Sequence, residues 1–127
     1  MKFLIAVLML ANAAVFMFGA MQHTGVPIGT FHEPVIIPAS IVETVSALSL
    51  LWGGIAVLRG SQRAWSAALI GNIVAIVGVA VGMISLAAGR GPRTASNDLY
   101  HRIMLALAIT SIVILALPAG RAAVRRT

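Results

Sequence analysis

Four long apolar runs divide the chain, at residues 3–21, 38–58, 64–88 and 99–117. Each approaches the ~20 residues an α-helix needs to cross about 30 Å of hydrocarbon. None shows the period-two alternation of a membrane strand, and lipid admits only helices and closed barrels because it cannot satisfy an open backbone. The pattern predicts an all-α polytopic membrane domain spanning residues 1–127, a four-helix transmembrane bundle with a long outer first loop. Arg59-Gly60-Ser61-Gln62-Arg63 and Gly89-Arg90-Gly91-Pro92-Arg93 separate the later runs as short polar turns of helical hairpins.

The connection at 22–38 is longer and less lipid-like. Pro27, Pro34 and Pro38 remove backbone donors and push their predecessors toward extended conformation, so Val35-Ile36-Ile37 is expected as an interfacial loop or a short re-entrant piece. The first run, with Lys2 ahead of an apolar stretch, also has the look of a secretory signal peptide. Its length, and Phe18 at the −3 position before Ala20 where a small residue is required, favour a retained span.

Composition agrees with lipid as the solvent. Hydrophobic residues make up 60% of the chain and charged ones 9%, with a mean hydropathy of +1.02, against roughly 25% charged in soluble domains. The net charge of +6 does not point to nucleic acid. Lys2 and the arginines stand at the ends of apolar runs, with no basic face interleaved with aromatics. They read instead as topology determinants. With the N-terminus inside, Lys2, Arg59, Arg63, Arg121, Arg125 and Arg126 are cytoplasmic and only Arg90, Arg93 and Arg102 lie outside, so both termini are expected in the cytoplasm. The chain has no cysteine, which excludes disulfides, thiolate nucleophiles and cysteine-ligated metals.

Helices in lipid associate through small residues that let backbones approach. Gly71, Ala75, Gly78 and Gly82 form such a face on the third span, for packing either against another span or in a homodimer. On the second span Ser40, Glu43, Ala47, Leu50 and Gly54 share a stripe, which turns Glu43 toward the bundle. Trp65 is an interfacial anchor candidate beside the basic turn.

An ionisable residue within a span marks a candidate site, and Glu43 is the clearest case. It serves either as a register-fixing carboxyl bonded to Thr44, Asn12 or Asn72, or as a proton or ligand site. In the topology above, His23, His32 and Glu33 fall in the first outer loop, and Asp98, Tyr100 and His101 at the start of the fourth span, so every histidine and every acid collects on one side. Asn97 and Asp98 also suit a helix N-terminus, through capping and the dipole. Imidazole and carboxylate suit a transition metal or haem iron, but His32-Glu33 is adjacent instead of HExxH-spaced, so no particular cofactor follows. No hydrolase elbow or phosphate loop is present.

The stretch 41–54, with Glu43 at the head of a span, an apolar run ending Leu50-Leu51-Trp52-Gly53-Gly54 and then the basic turn Arg59 to Arg63, resembles the second span of DoxX-like small four-helix bacterial membrane proteins. The resemblance implies a four-helix bundle in the bacterial plasma membrane, with association of some members with quinone- or thiol-linked redox systems. The histidine-bearing first loop and the 98–102 segment depart from that pattern, so only Glu43 is carried over as a polar site.

The leading expectation is a non-enzymatic bundle whose outer half holds a pocket of Glu43, His32, Glu33 and His101, with Asp98, Tyr100 and His23 nearby, for a small ligand or a membrane partner subunit. Two other classes stand beside it. One is a proton-coupled small-molecule carrier or channel acting as an oligomer; the other is a membrane-embedded enzyme on a quinone or lipid headgroup.

Overall fold

A computed structural model describes residues 1–29, 33–91 and 93–125. Five helices follow one another: α1 (Lys2–His23), α2 (Ile37–Arg59), α3 (Ala64–Ala87), α4 (Ala95–Ala116) and α5 (Pro118–Arg125). The first four are long and apolar enough to cross a membrane. They form a multi-pass helical bundle in which α1 packs on α2, α2 on α3, and α4 against both α3 and α1.

The hairpin turns have a local cause. At the end of α2, Gly60 takes a left-handed φ of 66°, its amide bonds the Val57 carbonyl, and the Ser61 amide reaches back to Ala56 at 3.0 Å. Gly89 repeats the motif at the end of α3, with φ 70° and Arg90 bonding Ser85. Each turn thereby satisfies carbonyls that a helix end leaves open. Pro38 sits in the first turn of α2, where a missing amide costs nothing. Ile37 is accordingly helical and Ile36 its N-cap, which leaves no re-entrant piece at 35–37. The chain before it is pinned by the Ile36 amide bonding the His23 carbonyl at 3.0 Å.

The fourth helix begins at Ala95, four residues ahead of the expected start at 99. Thr94 is the N-cap, its hydroxyl accepting from the Asn97 amide at 3.0 Å. This displaces Asn97 and Asp98 from the capping role and puts them inside the first turns. The short α5 was not foreseen. It lies beside Trp65, whose ring carries Arg125 at 4.8 Å and Arg121 at 5.7 Å and whose indole nitrogen donates to Leu115.

Small residues set the helix spacing. A Cβ on Gly71 would stand 2.6 Å from the Ser49 carbonyl oxygen, and one on Gly53 2.8 Å from that of Ala67. α2 and α3 therefore touch backbone to backbone near their middle, the close approach that dispersion in lipid rewards. Around this seam Ile5, Met9, Phe16, Leu50, Val57 and Val79 fill the core, while Phe3, Val45, Ile84 and Leu99 face outward.

Candidate functional site

Because neighbouring spans run antiparallel, the end of α1, the start of α2, the end of α3 and the start of α4 share one end of the bundle. His23, Glu33, Glu43, Asp98 and His101 all lie there. The predicted polar residues nevertheless separate into three groups.

The first is built on Glu43, in the second turn of α2 and 5% exposed. Its Oε1 stands 3.6 Å from Nε2 of His23, within ion-pair reach and beyond a hydrogen bond. His23 in turn directs Nδ1 at the Pro34 carbonyl, 3.2 Å away; a carbonyl only accepts, so Nδ1 bears a proton and Nε2 is the atom left for Glu43. The Tyr100 hydroxyl lies against the same carboxyl and donates to the Val15 carbonyl at 3.1 Å. Gly19 makes this meeting feasible: a Cβ there would overlap the Tyr100 hydroxyl and come 2.9 Å from Glu43 Oε1. The residues expected to bond Glu43 are engaged elsewhere. Thr44 donates to Ser40, Asn12 to Met104 on α4, and Asn72 to Ala68 within its own helix.

Glu43 Oε2 is buried and has no hydrogen-bond partner among the described residues. Glu43 borders a cavity of about 320 Å³ between α2, α3 and α4, walled by apolar side chains such as Val42, Val81 and Leu86, with His23, Ser85, Asn97 and His101 as further polar lining and Arg90 at the rim. Gly78 and Gly82 form part of this wall. The small-residue face of α3 thus divides: Gly71 and Ala75 are buried in the bundle, while Gly78 and Gly82 open a hollow where larger residues would close it. A Cβ on Gly82 would come 2.8 Å from His101 Nε2. His101 is buried, bonds the Asn97 carbonyl through Nδ1 at 2.8 Å, and keeps Nε2 for the cavity.

The second group ties the first connection to α4. Glu33 accepts from Ser96 at 2.6 Å and from Thr94 at 3.0 Å, an acid seated at a helix N-terminus. It borders a different cavity, of about 260 Å³, between α1 and α4. The third is a surface pair of Asp98 with Arg93 at 3.1 Å, of the exposed kind that contributes little to stability. Glu33 and Asp98 therefore do not join Glu43 in one pocket. His32 lies outside the described residues.

Among the described residues no three histidine or acidic side chains converge as metal ligands. Two contributors were not anticipated. Asn97, 4% exposed with Oδ1 unpartnered among the described residues, borders both of these cavities; its inward position depends on the rotation of α4, which the sequence did not signal. Gly19 had no signal, since its role depends on what α2 and α4 bring to it.

Fold and site together define a small multi-pass α-helical membrane protein with a polar cluster and cavity at one end of its bundle. No protein-family model, curated protein or solved structure matches the chain.

Proposed function

We propose that this protein is a non-enzymatic binding protein of the membrane, holding a small ligand in the cavity between α2, α3 and α4. The observation that supports the reading is Glu43, on the lining of a mostly apolar hollow with a buried Oε2 that has no partner among the described residues. A carboxyl oxygen at that depth without a partner is costly to maintain, and a bound polar group would supply the missing bond. The cavity volume falls at the lower end of the ~300–1,000 Å³ typical of small-molecule sites. Kinship with DoxX-like proteins, through Glu43 at the head of α2, belongs to the same proposal. So does a bacterial plasma membrane with both termini in the cytoplasm, which puts the cavity on the outer side; a cysteine placed at Thr127 of this cysteine-free chain should resist impermeant reagents in intact cells.

Mass analysis of protein purified from native membranes tests the reading. A stoichiometric small molecule should be present in the wild type and lost from Glu43→Leu with helicity retained. Equal amounts in both, or none in either, would remove it.

One observation favours a second reading, a proton-coupled carrier. His23 and Asn97 border both larger cavities, so the polar cluster is a partition between two hollows. Transport would then stop in Glu43→Gln proteoliposomes that still bind ligand, whereas a binding protein shows no flux in either form.

A further inference from the structure

The hydrogen-bonding sense of the cavity wall narrows the ligand. His101 Nδ1 faces a carbonyl at 2.8 Å and must donate to it. In the neutral ring Nε2 is then a lone pair, turned toward Gly82 at the cavity wall and free of any partner among the described residues. Asn97 and Glu43 border the same hollow, each with a buried oxygen that has no partner among the described residues. These inward atoms can all accept, while the Ser85 hydroxyl and the Arg90 guanidinium on the same lining are donors.

Charge at the entrance adds a second constraint. Arg90 stands at the rim and repels a cationic head, while His23 already occupies the inner side of Glu43. An anionic head would meet the Glu43 carboxyl and the lone pair of His101. Apart from Asn97 and the Ser85 hydroxyl, the remainder of the wall is apolar.

Resting on the reading of this hollow as a ligand site, we propose that its occupant is an uncharged amphiphile with a hydroxyl head, a phenol or an alcohol, which donates to His101 Nε2 and lays its apolar body along Val42, Val81 and Leu86. A hydroxyl carries one donor and two lone pairs. It satisfies His101 and can still accept from a neighbour such as Asn97, which a methyl ether cannot do while also donating.

Matched probes test this in the full chain in detergent micelles with isotope-labelled histidines: para-butylphenol, its methyl ether, para-butylbenzoate and para-butylbenzylammonium. Nitrogen NMR follows the unprotonated ring nitrogen of His101, assigned by its disappearance in His101→Phe, and valine methyl signals follow occupancy of the cavity. The phenol should move both at a concentration at least about tenfold below that needed for the ether, since one hydrogen bond to a buried acceptor is worth about a factor of ten. The two ions should leave both signals in place, and in His101→Phe phenol and ether should become equivalent. All of these except the last are read on the wild-type chain, so they stand even if the variant folds poorly. Equal binding of the ether, or preference for either ion, overturns the hydroxyl assignment while leaving a ligand site. No movement of the valine methyls with any probe overturns the assignment and the ligand-site reading together.

Discussion

Nε2 of His23, at the last residue of α1, stands 3.6 Å from Oε1 of Glu43, in the second turn of α2. Both side chains are almost wholly buried, and the Ser40 hydroxyl donating to the Ala20 carbonyl at 3.0 Å holds the two helices together one turn away. The pair stands where α1 and α2 each bury an ionisable group, and it orients one helix against the other. His23→Phe should therefore lower stability by about 1–3 kcal/mol, because it leaves a buried carboxyl oxygen without its polar neighbour. A double-mutant cycle with Glu43→Gln, read by thermal unfolding in detergent, should return a coupling of about 1–2 kcal/mol. Strictly additive losses would show that the two residues do not act on one another.

At Gly19 a residue of α1 meets side chains of α2 and α4. Gly19→Ala should cost about 1–3 kcal/mol through overpacking, by driving the Tyr100 hydroxyl away from Val15 and Glu43. Gly91→Ala is the control, since its Cβ would meet only side-chain carbons at 3.4 Å and beyond. Tyr100→Leu should restore most of the Gly19→Ala loss. Denaturant unfolding of the four proteins checks this, and equal losses at Gly19 and Gly91 would contradict it.

The divided glycine face of α3 yields a contrast within one helix. Gly71→Ala presses a methyl on the Ser49 backbone, which cannot give way without moving α2, and should destabilise by about 1–3 kcal/mol. Gly82→Ala meets the tip of the His101 ring at the cavity wall. It should cost under about 1 kcal/mol while reducing ligand occupancy, because a movable side chain yields more cheaply than a backbone. Melting temperature and copurified ligand, measured on both variants, separate the two kinds of glycine.

Glu33 connects the first loop to the start of α4 through Thr94 and Ser96. Glu33→Ala removes an acceptor and a favourable charge at a helix N-terminus, together about 1 kcal/mol. Hydrogen exchange of the amides in the first turn of α4 should quicken by roughly fivefold to tenfold while those of α2 and α3 keep their rates. Unchanged exchange in that turn would mean that Thr94 caps the helix unaided.

The four spans were legible before any coordinates, because length and apolarity are properties of each segment against its solvent and need no knowledge of neighbours. The turn at Gly60, the inward stripe of Glu43 and the segregation of histidines and acids toward one end follow equally from one-dimensional spacing. What Glu43 touches does not. Thr44, Asn12 and Asn72 were reasonable partners by type and depth, yet His23 and Tyr100 take that place because the rotation of α1 and α4 about their axes decides which side chains meet. The glycines of α3 make the same point: small residues at steps of three or four announce a face where something comes close, and only the neighbour determines whether it is backbone, as at Gly71, or the tip of a side chain at a cavity wall, as at Gly82. Hydropathy selects the solvent of each helix residue by residue; the site arises from contacts between helices, and those exist only once the bundle has closed.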